Sequence, residues 1–153
     1  MEATIPLGRL LRRAHLIAAR RYRRHLAEFG FSPGEARLLL SVLDAPGTTP
    51  SALAATVDID PPTATGIVER LVAGSYLRRE PDPRDRRRLL LFATPQGEAL
   101  RPRIQAARQA SESELMALLG PDAAALLRDL LTRFLEADAR HAENGTARAG
   151  RQA

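Results

Sequence analysis

Residues 49–71 read TPSALAATVDIDPPTATGIVERL, and the rest of the chain is organised around them. Thr49 offers an N-cap hydroxyl, Pro50 sits in the first turn, and Leu53, Ala54 and Val57 give that short helix an apolar face. Asp60 caps a second helix with Pro61 and Pro62 in its first turn, after which Ala64, Ile67, Val68 and Leu71 recur at helical spacing. Ala54 is small enough to let the second helix cross closely, while Leu53, Val57, Ile59, Ala64 and Ile67 fill the angle between the two. Such spacing is what a helix-turn-helix needs. In the turn, Asp58 stands where glycine would be usual, and aspartate tolerates the left-handed conformation better than most residues.

Downstream the period changes from helical to alternating. Leu77–Glu80 and Leu89–Phe92 are expected as short strands, and between them lies PDPRDRRR, residues 81–88, dense in turn formers and arginine. An exposed turn with so many like charges repels itself unless a polyanion is near. A hairpin beside a helix-turn-helix is a wing, and a phosphate backbone is its natural counterpart.

Several segments carry a resemblance to a known family. They are Asp82-Pro83-x-Asp85-Arg86-Arg87, the strand after it, and Ala93-Thr94-Pro95-x-Gly97; upstream come Ser32-Pro33-x-Glu35-Ala36, Leu53-Ala54, Thr63-Ala64-Thr65 and Glu69-Arg70-Leu71. Together these resemble the MarR family of bacterial transcriptional regulators, over all but the C-terminal tail. The wing segment is the most specific part. The resemblance implies a mainly α fold with a small β-hairpin wing, a winged helix-turn-helix, joined as an intertwined two-fold dimer through its terminal helices. It implies double-stranded DNA as partner, repression as the commoner outcome, and release of DNA by a small, often aromatic effector. The effector cleft would be lined from the first two helices and the start of the long one, with His15, Tyr22 and Leu40 as candidates, each of a kind that is more often a plain core residue. Asp85 and Arg87 match paired wing residues whose family role is largely to hold the wing's shape by an ion pair, and Arg87 is read first in that role and second as a DNA contact beside Arg84 and Arg86. Family members often carry arginine where Gly66 stands, so less direct readout of guanine is expected from this helix.

Composition narrows the alternatives. At 153 residues the chain is sized for one domain, with enough length to bury a core unaided. It has no cysteine, which excludes disulfide scaffolds and thiol-based sensing and fits a cytoplasmic protein. Neither a signal peptide nor a membrane-spanning stretch is expected. The formal net charge is +5 and all 23 basic residues are arginine, a residue that contacts phosphate and guanine bidentately. A GC-rich coding bias also raises arginine and alanine, so the clustering of the arginines is more informative than their number.

From Ile5 to Phe29, Leu7, Leu11, Ala14, Ala18, Tyr22 and Phe29 follow a 3.6 period, with Leu10, Ile17 and Leu26 widening the stripe. Arg9, Arg12, Arg13, Arg20, Arg23 and Arg24 take much of the rest, and a charge run on a helix is ordinarily a solvated face. Gly30 ends this helix, and Ser32 and Glu35 form a capping box for the next, whose buried stripe is read as Ala36, Leu39, Leu40 and Leu43. Beyond the wing, Thr94-Pro95 opens a long helix with Leu100, Ile104, Ala107, Leu115, Leu118 and Leu119; Pro102 should kink it or delay its regular start. After Gly120-Pro121-Asp122 a last helix carries Leu126, Leu127, Leu130, Leu131, Phe134 and Leu135. From His141 to Ala153 the chain reads as small, polar and irregular.

The organisation expected is therefore an N-terminal dimerisation helix at 1–30, a DNA-binding lobe at 31–94, dimerisation helices at 95–140 and a disordered tail at 141–153. The terminal helices are apolar over more surface than the central lobe can cover, and a second copy of the chain would cover them through Leu7, Leu11, Leu126, Leu130 and Phe134. In such a dimer the reading helices would meet successive major grooves, so the preferred site should be an inverted repeat. Pro61, Pro62, Thr63, Thr65 and Gly66 lie where a reading helix meets base edges, and Arg70, one turn on, reaches phosphate or base, or else pairs with Glu69 or Asp58. On the wing, Arg84 and Arg86 are placed for the adjacent minor groove.

Enzymatic readings find no support in the residues. No Ser/His/Asp set, glycine-rich phosphate loop or paired carboxylates stand out, and His15, His25 and His141 are too scattered for a metal site, so no catalytic residue, metal or cofactor is expected. An aromatic content of 4% leaves few residues to stack single-stranded bases. The competing reading is a non-specific architectural DNA-binding protein without ligand control.

Overall fold

The computed structural model describes residues 5–57 and 59–149, with side chains through His141. In chain order the elements are α1 (Leu7–Leu26), a 3-10 turn (Ala27–Phe29), α2 (Pro33–Asp44), α3 (Pro50–Thr56), α4 (Pro61–Ala73), β1 (Leu77–Pro81), β2 (Leu89–Ala93), α5 (Pro95–Leu119) and α6 (Pro121–Ala149). By packing alone the chain divides into residues 1–111 and 112–153.

Start signals read from the sequence are present as hydrogen bonds. Ser32 Oγ accepts from the Glu35 N–H at 3.2 Å while Glu35 returns a carboxylate to the Ser32 N–H at 2.8 Å, so α2 opens on a complete capping box. Thr49 Oγ1 accepts from the Ala52 N–H, and Asp60 Oδ1 from the Thr63 N–H. Gly30 ends the 3-10 turn at φ +71°, the left-handed conformation expected of it. Asp58 lies outside the described residues.

In the first unit the core is built around α2 and α4. Ala64, Ile67, Val68 and Leu71 are all buried, as their period required, against Leu38, Leu39 and Val42 of α2 and Leu53 of α3. Burying Ile67, Val68 and Leu71 stabilises by roughly 1.5–3 kcal/mol each before entropy is charged. The α2 stripe differs from its sequence reading: Leu38 and Val42 are fully buried, whereas Leu40 and Leu43 are only partly so. Neighbours on two sides of α2 make its apolar face wider than a single stripe.

Strand β1 pairs antiparallel with β2, with Leu77 opposite Ala93 and Pro81 opposite Leu89. Leu91 also exchanges hydrogen bonds with the α2–α3 connection, its N–H with Thr48 O at 2.8 Å and its carbonyl with the Gly47 N–H at 2.9 Å. Nothing in the local sequence announced that third rung.

The long helix begins at Pro95 and runs through Pro102, so the proline does not delay its start. Thr94 fixes that start. Its hydroxyl accepts from the Gly97 N–H at 3.1 Å and donates to Ser75 O at 2.6 Å, and its N–H bonds Tyr76 O at 3.1 Å.

In the second unit, α6 continues to Ala149, through residues expected to be irregular from His141; residues 150–153 lie outside the described residues. Once a helix is nucleated, each further residue adds a hydrogen bond at little cost, which carries it through weak formers such as Asn144 and Gly145. Leu126, Leu130, Phe134 and Leu135 are exposed along it.

Candidate nucleic-acid interface

The geometry of the reading helix follows from α3, α4 and the turn between them. Ile59 N–H bonds Ala54 O at 3.2 Å, closing the turn, and Leu53, Ala54, Val57, Ala64 and Ile67 are buried with Ile59 partly so. Pro61, Pro62, Thr63 and Thr65 are left exposed on one end of α4, with Gly66 half-buried beside them. Thr65 donates its hydroxyl to Pro61 O at 2.9 Å. Hydrogen bonding from Thr63, through its hydroxyl and then its N–H, holds the exposed Asp60 carboxyl below the usual carboxylate range.

Asp58 lies outside the described residues, and Arg70 is paired with Glu35 and not with Glu69. Its Nε lies 2.8 Å from Glu35 Oε1, so α4 is tied to the first turn of α2. The side chain is still largely exposed. Glu35 thus caps α2 and anchors Arg70 together. Burial raises the Glu35 carboxyl, but the bonds from Arg70 and Ser32 outweigh it and leave it below the ordinary carboxylate range. A lowered folded-state pKa stabilises above the unfolded value, and that stability disappears as pH falls through the folded value. Glu35→Gln, which retains the cap but not the charge, should therefore cost about 0.5–1 kcal/mol at neutral pH. Melting curves of the two proteins taken from about pH 7 to pH 3 should converge at the acid end. Parallel curves at all pH values would remove the ion pair from the stability of the lobe.

The wing is shaped by its aspartates. Asp82 Oδ1 accepts from the Arg84 N–H at 2.9 Å, and Asp85 Oδ1 from the Arg87 N–H at 3.1 Å, each a side chain bonding the backbone two residues on. The backbone closes with Asp82 N–H to Arg88 O at 2.9 Å and Arg88 N–H to Asp85 O at 2.9 Å. The ion pair expected between Asp85 and Arg87 is replaced: among the described residues the wing loop's pair joins Arg88 and the buried Asp82 at 3.9 Å. Two carboxylates spent on backbone N–H groups leave the arginine side chains free to radiate. Arg84, Arg86 and Arg87 are exposed, and no carboxylate among the described residues lies within ion-pair distance of them. Arg78 is engaged, paired with Glu80 and stacked over the Phe92 ring at 5.0 Å.

Residues proposed for dimerisation and for an effector fall elsewhere. Leu7 is exposed and Leu11 half-buried on α1, and Leu126, Leu130 and Phe134 are exposed on α6. His15 is exposed on α1, while Tyr22 and Leu40 are partly buried against the core, and burial raises the Tyr22 hydroxyl against a smaller pull from Arg108. An open groove of about 460 Å³ along α1 is lined by Arg13, Leu16, Ile17, Ala19, Arg20 and Arg23, and by none of the three residues proposed for an effector. Among the described residues there is no cluster of three or more His, Cys, Asp or Glu that could hold a metal ion, and no helix is long and apolar enough to cross a membrane.

Sequence reasoning passed over Glu35 as a partner of Arg70, Thr48 as a sheet rung, and the Asp82–Arg88 pair. Only the last had a local signal, an Asx-Pro opening onto an arginine run.

Two crossed helices with a reading face, followed by a two-stranded wing, define a winged helix-turn-helix protein. The MarR family model matches residues 29–88. The HTH-type transcriptional repressor NicR of Pseudomonas putida is 32% identical over 145 residues, covering 90% of this chain and 87% of that protein. A mutant MarR from Escherichia coli, solved complexed with operator DNA, superposes with a TM-score of 0.78 at 30% identity, over 86% of this chain and 94% of that one. The transcriptional repressor CouR, solved bound to a 23-mer DNA duplex, gives 0.72 at 28% identity, over 88% and 92%. The chain belongs to the MarR family.

Proposed function

We propose that this protein is a sequence-specific regulator that binds double-stranded DNA as a two-fold homodimer, in the main a repressor at inverted-repeat operators. The observation that carries this is the pairing of an exposed reading helix with a wing whose aspartates bond the backbone and Arg88, so that Arg84, Arg86 and Arg87 face outward unpaired among the described residues. Relatives solved on DNA support it.

Recognition-helix contacts fall to Pro61, Pro62, Thr63, Thr65, Gly66 and Arg70, and wing contacts to Arg84, Arg86 and Arg87, with Asp85 as shaping residue. The exposed leucines of α6 and Leu7 of α1 support dimerisation, since that much apolar surface is a liability on a single chain. Control by a small aromatic molecule rests on family likeness.

Selection of bound duplexes from a random pool, with mass measured by sedimentation, tests the whole reading. A recovered inverted repeat bound by two chains is the expected result. A single chain at micromolar concentration with no preferred duplex would overturn it, and binding without sequence preference would favour the architectural reading. A panel of aromatic acids in the same assay should shift affinity or melting temperature; no shift across the panel removes that class of effector.

A further inference from the structure

Residues 61–66 at the start of α4 have almost nothing left with which to donate a hydrogen bond to a base or a phosphate. Pro61 and Pro62 have no N–H. The Thr63 N–H is taken by Asp60 Oδ1 at 2.9 Å and the Ala64 N–H by Asp60 O at 3.0 Å, so the anion-binding character of a helix start is used up internally. The Thr65 hydroxyl proton is committed to Pro61 O at 2.9 Å. Gly66 carries no side chain, and the nearest atom to a side chain there would be Arg70 Nη1 at 3.9 Å. Arg70 is tied to Glu35 through Nε and keeps the donors of its exposed Nη groups, one turn beyond this stretch. The exposed residues left on this first stretch, Pro61, Pro62, Thr63 and Thr65, have carbon to offer in two proline rings and two threonine methyls.

The major groove has one apolar feature, the C5-methyl of thymine. We propose that α4 reads its half-site mainly through thymine methyl groups, packed against Pro61, Pro62, Thr63 and Thr65, with no bidentate contact to guanine from residues 61–66. This rests on the DNA-binding reading above and names the base it selects. The Glu69 carboxylate, exposed on the same helix, only accepts, and its partner would be the cytosine amino group, which is indifferent to methylation state at thymine.

The experiment takes the best duplex from the random pool and exchanges thymine for deoxyuridine, which removes the methyl and leaves every base-pair hydrogen bond in place. Exchange within the half-sites should weaken binding by about four-fold for each methyl lost from contact, while exchange in the flanks beneath the wings should leave affinity unchanged. Gly66→Arg should move the selected consensus toward guanine at one base pair per half-site. Equal binding of thymine and uracil half-sites would overturn the inference while leaving DNA binding intact. A pool that yields no favoured duplex would overturn both.

Discussion

Replacing both Arg84 and Arg86 by alanine, which in the proposed dimer alters both wings, is expected to flatten the log–log salt dependence of duplex binding by about 3.6 units and to weaken binding about a thousand-fold at 0.15 M salt. In counterion release each phosphate neutralised contributes about 0.9 to the slope, and the two wings of the dimer together lose four guanidinium groups. On the proposed reading affinity should fall alike for the preferred site and for random duplex, because the wing would meet backbone and groove width more than base edges. Stability should hardly change, since both side chains are exposed and the wing backbone is closed by Asp82 and Asp85. That makes the variant a clean test of contact. An unchanged slope would remove these arginines from the interface, and a loss confined to the preferred site would make them base readers instead.

The largest expected effect on stability belongs to Gly97→Ala. A Cβ at Gly97 would stand 2.2 Å from Tyr76 O and 3.1 Å from Tyr76 C, both backbone atoms, with Leu39 Cδ1 at 3.4 Å. The carbonyl cannot simply retreat, because it also accepts the Thr94 N–H at 3.1 Å. Helix α5 would have to back away from the strand entrance, opening the core around Leu39 and Leu100. A loss of about 3 kcal/mol, or roughly 10 °C in melting temperature, is expected. Gly8→Ala is the control, as nothing lies within 4 Å of a Cβ there. It should be neutral or raise stability by up to about 1 kcal/mol. If the two variants melt together, the close approach at Gly97 is not the constraint described.

The same contact explains the Thr94-Pro95-x-Gly97 segment physically. Threonine caps the helix and clamps the preceding loop, proline fills a position that needs no N–H, and glycine lets two backbones touch. Ser75, at φ +60°, takes the left-handed position that ends α4. Gly74 just before it is held free of a side chain by the Tyr76 ring, 2.7 Å from where its Cβ would be.

Helix starts, the crossing of α3 and α4, and the wing with its arginines were legible along the chain, because each depends on neighbours three or four residues apart or on turn chemistry within a few bonds; the far end of α6 was not. Capping boxes and apolar periods are local rules, and they held at Ser32, Thr49, Asp60 and along Ala64–Leu71. Partner choice was decided by folding alone. Arg70 reaches Glu35 across thirty-five positions of sequence, Thr48 joins the sheet at Leu91, and Asp82 rather than Asp85 takes the wing's ion pair. An arginine can satisfy any carboxylate its long side chain meets, so its identity says that a partner or a polyanion is wanted. Only the approach of one element to another says which.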